Sequence, residues 1–341
     1  MALYHIFLTA FNAIIPIVLI IGIGFVLRQK GMLTEEFIKI GNKLGFQILL
    51  PIMLFLSVYS IESFSAIRWD VVIYCVAMQL LLFVLGYASV GLTTRVHKRR
   101  GVILQNIFRS NVAIIGMSLT SVLGNAEALA ITAVVLAFIQ PVMNTLAVVS
   151  LSIYSDDEGQ KISLADILKK VATNPLIHGI LIGMLCLALR SAQNSLFGEV
   201  VFSLQRDMTF LYTALNNLKS ITSPFMLLIL GGQFNFTASM GMLREIVTGT
   251  LWRVVIAPVL CIGLAIVLSA NTKLINFGPE VYPSLIALFG SPTAVSSAIM
   301  AGQMGHDHQL ATQLVVWTSV ASIFTMFVTV CIMMSMGLLA I

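Results

Sequence analysis

Apolar positions in this chain run together in long stretches, separated by short polar clusters. Stretches such as Ile14 to Leu27, Val71 to Leu92 and Ile246 to Leu268 approach or reach the ~20 residues that carry a helix across a ~30 Å hydrocarbon core. Reading each run against its polar breaks predicts helices over 9–28, 36–60, 70–94, 101–124, 127–153, 173–190, 209–233, 244–268, 284–304 and 308–337. The fold class that follows is all-α, a polytopic membrane protein of about ten transmembrane helices in a lipid bilayer.

Composition sharpens this picture. Of 341 residues, 58% are hydrophobic and 10% charged, against roughly 25% charged in soluble chains, so no stretch supports a separate soluble domain. The net charge of +5 fits positive loops on one side of a bilayer and does not point to nucleic acid. Arg28, Lys30, Lys39 and Lys43 fall in the first loop expected inside, Arg95, Lys98, Arg99 and Arg100 in the second, and Lys161, Lys169 and Lys170 in the third. Arg68 stands alone outside in the first half, while Arg190, Arg206 and Lys219 fall outside in the second. No Lys or Arg precedes the first run, so no cleavable signal is expected. Both termini are placed outside the cytoplasm of a bacterial plasma membrane. Cys75, Cys186, Cys261 and Cys331 lie in apolar runs without metal or redox spacing and are expected in core packing.

The two halves echo each other. Aligning Ser110 with Ser291 also aligns Ala113 with Ala294, Gly124 with Gly305, Leu129-Ala130 with Leu310-Ala311, and Val134-Val135 with Val315-Val316. At other offsets Pro51 and Met53-Leu54 match Pro224 and Met226-Leu227, and Pro16 and Gly24 match Pro175 and Gly183. The preserved order predicts two repeats, 1–155 and 171–341, joined by a cytoplasmic connector at 156–170. An odd number of helices per repeat inverts the second copy, as in many secondary transporters.

The fourth and ninth predicted helices carry the most polar residues. One reads Gln105-Asn106, then Arg109-Ser110-Asn111, Gly116 and Ser118; the other reads Gly290-Ser291-Pro292-Thr293, then Ser296-Ser297. Pro292 cannot donate to the Leu288 carbonyl, so the helix breaks there. Irregular backbone at that depth survives only against protein or a water-filled cavity. Each break leaves a half-helix N-terminus with free N–H groups and partial positive charge, a place for an anion. Arg109 would add a bidentate donor; it either faces that cavity or reaches to the cytoplasmic interface. Gln140 and Asn144, beside Pro141, either face the same cavity or bond between helices, and the same choice is open for the Ser and Thr hydroxyls. The candidate anion-binding set is therefore Arg109, Ser110, Asn111, Gly116, Gln140, Asn144, Ser291, Pro292 and Thr293. His178 and Arg253 are read as snorkelling or locally paired residues. Asp307, between His306 and His308, is read as a helix cap and not as part of a metal site. No metal or cofactor is expected. Every Asp and Glu falls in a loop or near a helix end, which argues against cation exchange.

These residues resemble the auxin efflux carrier family, which includes plant auxin carriers and bacterial malate and malonate permeases. The resemblance rests on Pro16 and Gly24 with Arg28 and Gly31, Leu50-Pro51, Gly290-Ser291-Pro292, and Gly305, Asp307 and Leu310-Ala311. It implies a scaffold of helices one, two, six and seven, a moving unit around the crossed fourth and ninth helices, and a homodimer. It also implies that Asn111 meets a substrate carboxylate and that Gln140 joins it. The chain departs from the plant pattern in having no proline between Val112 and Gly116, which predicts a milder break, and no long central loop. The expected function is alternating-access transport of a small organic anion or carboxylate, by potential-driven efflux or facilitated transport. A sodium- or proton-coupled uptake symporter is the alternative. The chain carries no His-Glu-x-x-His, no Gly-x-Ser-x-Gly and no paired midplane carboxylates, so an enzyme is not expected.

Overall fold

The computed structural model describes residues 2–61, 67–155, 175–234, 240–272 and 275–339. Among them the long elements are all helices: α1 (Ala2–Gln29), α2 (Glu35–Tyr59), α3 (Trp69–Thr93), α4 (His97–Phe108), α5 (Val112–Leu123), α6 (Ala126–Ile153), α7 (Pro175–Phe197), α8 (Thr209–Gly232), α9 (Leu243–Asn271), α10 (282–290), α11 (Ser296–Gln303) and α12 (His308–Ser335). Six of them, α2, α3, α6, α7, α9 and α12, are long and apolar enough to cross a membrane. Large apolar side chains also face outward, among them Leu19, Ile23, Leu181, Leu185, Val259 and Phe324. Such a surface is unfavourable in water and suits lipid. The protein is a helical, multi-pass membrane protein.

Local chemistry sets the helix ends. Thr34, Asn125 and Asp307 each accept a hydrogen bond from the backbone N–H three residues on, at 3.2, 2.9 and 2.9 Å. These are N-caps of α2, α6 and α12, so Asp307 does act as the expected cap. The largest shift at a C-terminal end is in α7, which runs to Phe197 and not to 190. Arg190 does not end it, because its guanidinium turns back to the Tyr59 and Ile61 carbonyls at 2.5 and 2.7 Å and rests 4.5 Å from the Tyr59 ring centre. Lys219 lies within α8, well past its first turns, inside the span expected over 209–233.

Two packing groups emerge. In one, α1 lies along α8 and α2 along α7. Gly24 and Gly231 let the first pair touch backbone to backbone, since a Cβ at either position would collide with the Leu228 or Ile21 carbonyl. In the other, α3 to α6 and α9 to α12 gather around two interrupted helices. The connector expected at 156–170 lies outside the described residues, as do Lys161, Lys169 and Lys170.

Candidate functional site

The interruptions fall where the sequence placed them. Between α4 and α5 the backbone leaves the helix at Arg109, Ser110 and Asn111. Between α10 and α11 it does so from Ser291 to Val295, a longer gap. The proline-free break is the milder one, as predicted. The two open segments cross and pair antiparallel at Ser110 and Thr293. Asn111 N–H donates to the Pro292 carbonyl at 2.7 Å, and Ala294 N–H donates to the Arg109 carbonyl at 3.1 Å. Each interruption thus satisfies part of the other's exposed backbone.

The carbonyls freed by the breaks find donors from neighbouring helices. Arg253 is fully buried in a π-helical turn of α9. Its Nη2 reaches the Leu288 and Phe289 carbonyls at 2.8 and 3.1 Å, its Nε the Ser291 carbonyl at 2.8 Å, and its Nη1 the Ile107 carbonyl at 3.1 Å. Leu288 is the residue whose partner N–H Pro292 lacks. The expectation that Arg253 snorkels or pairs locally is therefore corrected: one guanidinium caps the carbonyl ends of both α4 and α10, where the helix dipole favours a cation. Gln79 Nε2 adds a bond to the Phe108 carbonyl at 2.6 Å.

A crevice of about 20 Å³ lies at the crossing. It brings together Arg109, Ser110, Asn111 and Gln140 with Phe46, Met143 and the segment Ala294 to Ser296 that leads into α11. Arg109 is only 3% exposed, so it does not reach to the interface. Its guanidinium meets neutral acceptors: Asn144 Oδ1 at 3.1 Å, Gln105 Oε1 at 3.3 Å and the Met300 sulfur at 3.3 Å. No carboxylate pairs with it among the described residues. Asn111 is 4% exposed and its Nδ2 has no hydrogen-bond partner. Ser110 Oγ has only the Met143 sulfur, at 3.8 Å. The first bond of α5 runs from Ile115 N–H to the Asn111 carbonyl at 3.0 Å, which leaves the preceding N–H groups at its N-terminus. The crevice is rich in donors and holds no negative charge of its own.

The other expected residues frame it. Asn144 enters through Arg109. Ser291 Oγ donates to the Ala287 carbonyl and Thr293 Oγ1 to Asn106 Oδ1, so both hydroxyls are held by protein. Pro292 contributes its carbonyl to the bridge. Gly116 allows α5 to cross α10, since a Cβ there would lie 2.7 Å from the Ala287 carbonyl. Sequence reading missed Arg253 and Gln79 as partners of the breaks. The available signal was a polar residue deep in each of two apolar helices, opposite carbonyls known to be free. Among the described residues no cluster of His, Cys, Asp and Glu is arranged to hold a metal.

No curated protein matches the chain. The family model described as membrane transport protein matches residues 9–330, nearly the whole chain. The interrupted, crossing helices thus sit in a member of the auxin efflux carrier family of membrane transporters.

Proposed function

We propose that this transporter carries small organic anions, carboxylates above all, by alternating access. The observation that carries the reading is the donor-rich crevice. Arg109 meets only neutral acceptors and the Asn111 amide lacks any. A buried cation without an acid is costly unless an anion completes it, and a carboxylate accepts from a guanidinium and an amide together. The cavity of about 20 Å³ has room for about one water. Substrate entry therefore requires the crossing to part from Phe46 on α2, as alternation between two open states demands.

The same reading includes ten membrane helices in two inverted repeats, with the boundary in the connector at 156–170. Support comes from matching bonds. Phe108 and Phe289 occupy equivalent places in the alignment that pairs Ser110 with Ser291. The Phe108 carbonyl accepts from Gln79 of α3, and the Phe289 carbonyl from Arg253 of α9. Gln79 and Arg253 are each the eleventh residue of their helices. The resemblance adds a homodimer in a bacterial plasma membrane with both termini outside.

With no acid at the crossing to carry a proton or hold a cation, the net charge moved over a full cycle is the substrate's own. A monoanion leaving a negative interior gains about 2.3 kcal/mol per 100 mV, roughly a fifty-fold gradient. In proteoliposomes a potassium-diffusion potential is expected to speed or slow anion flux according to its sign, without sodium or pH gradients. Flux that ignores voltage but requires a sodium or proton gradient would overturn this reading in favour of a symporter.

A further inference from the structure

A second cavity, of about 310 Å³, opens between α1, α2 and α8 on one side and α5 and α6 on the other. It lies away from the crevice. On α6 it is lined by Leu129, whereas the crevice is lined by Gln140, a separation of roughly 16 Å at the helical rise. Its wall is mainly apolar, from Ile17, Met53, Leu129 and Leu227, and Lys219 is the single charged residue lining it. Lys219 stands well inside α8 and is half-buried, with neither hydrogen bond nor ion pair among the described residues. An ammonium at such a place is costly against lipid and settles toward an aqueous cavity. The serine hydroxyls narrow the chemistry further. Those of Ser118, Ser121 and Ser220 already donate to the Ile114, Ser118 and Asn217 carbonyls, each at 2.7 Å. Ser223, one helical turn from Lys219 on the same face, has only the Met53 sulfur at 3.8 Å. Two donors are thus left for a ligand, an ammonium and a hydroxyl, above an apolar floor.

We infer that this cavity is a second anion station, which receives a monocarboxylate with an apolar body, its carboxylate on Lys219 and Ser223. A small, fully hydrated dianion would gain little from the apolar wall. The inference rests on the carrier reading only for the traffic between the two places; binding at Lys219 is tested by itself. Val122 lines the cavity and is 41% exposed, so Val122→Cys places a thiol there, with the unsubstituted protein as the blank. The reaction rates with an anionic and a cationic methanethiosulfonate reagent report the local potential. Lys219→Met is expected to lower the anionic-to-cationic rate ratio about tenfold, the effect of one unit charge nearby at intermediate dielectric, and Lys219→Arg to retain it. Lys219→Gln replaces the Met variant if that one does not purify. Benzoate is expected to slow modification of Val122→Cys with Lys or Arg at 219, and not with Met or Gln. An unchanged ratio in Lys219→Met or Gln, or benzoate protection that survives it, overturns the station. Protection abolished by Asn111→Ala instead places the benzoate at the crossing, which overturns the station and leaves the carrier reading standing.

Discussion

Asn111 and Arg253 are both buried at the crossing, yet they differ in what they leave undone. The Asn111 amide has no partner, whereas the Arg253 guanidinium has four carbonyls. Opposite mutational signatures follow. Asn111→Ala is expected to leave the melting temperature of the empty protein almost unchanged, because no hydrogen bond of the amide is lost. It should weaken carboxylate binding by about 1–3 kcal/mol, read as loss of ligand-induced thermal stabilisation across a panel of mono- and dicarboxylates. A melting temperature that falls while the ligand shift persists would make Asn111 a packing residue. Arg253→Lys should destabilise the empty protein by more than ~3 kcal/mol, since a point ammonium cannot serve carbonyls on two helices and each orphaned acceptor carries its own penalty. Thermal unfolding in detergent measures both. Asn111 and Arg109 were legible in the sequence because a polar residue midway along a predicted membrane span demands a reason. Arg253 satisfied the same criterion, but its partners are backbone carbonyls from both interrupted helices, and no side-chain pattern announces those.

At the scale of elements, Pro292 made one interruption legible and the proline-free one only half so. Residues 109–111 leave the helix because their backbone pairs with that of Pro292 and Ala294, a long-range cause invisible to local propensity. Removing the proline should therefore not restore a continuous helix. In Pro292→Ala the bridge and Arg253 remain, and the amides of Asn111 and Ala294 should keep their protection in hydrogen exchange; loss of protection at both would show that Pro292 alone holds the gap. Ion pairs bind the helices around the crossing at both ends. At one end Arg99 of α4 meets Glu245 of α9 at 3.1 Å and Asp307 at the start of α12 at 2.8 Å. At the other Arg68, just before α3, meets Asp70 at 2.8 Å and Glu280, just before α10, at 2.6 Å. The side chains of Arg99 and Glu245 are 20% and 10% exposed, so their coupling should exceed that of an open surface pair. A double-mutant cycle of Arg99→Ala and Glu245→Ala is expected to give about 1–3 kcal/mol. A value near zero would mean that the ends of this group are free to separate. The C-terminal end of α7 was less legible, because Arg190 is absorbed by carbonyls that sequence cannot locate.

Over the whole molecule, hydropathy was enough to reveal a helical membrane protein, since lipid imposes that class on any chain so apolar. Orientation is the next level and is directly testable. Cysteines at Lys98 and Met336, both exposed, should be modified by an impermeant reagent from opposite sides of the membrane, Lys98 from the cytoplasm; labelling of both from one side refutes the topology. A last consequence follows from the two buried guanidiniums that no carboxylate neutralises among the described residues. If the crossing travels through the membrane field during transport, the empty carrier moves with the charge of Arg109 and Arg253, and a bound monoanion offsets half of it. Thermodynamic driving force depends only on the substrate's charge over a full cycle, but the rate of each step depends on what moves within it. At about 2.3 kcal/mol per charge per 100 mV across the full field, the unloaded return is the electrogenic step most sensitive to voltage. Rapid solution exchange on a supported membrane would then record a transient current whose size shrinks as the anion saturates the carrier.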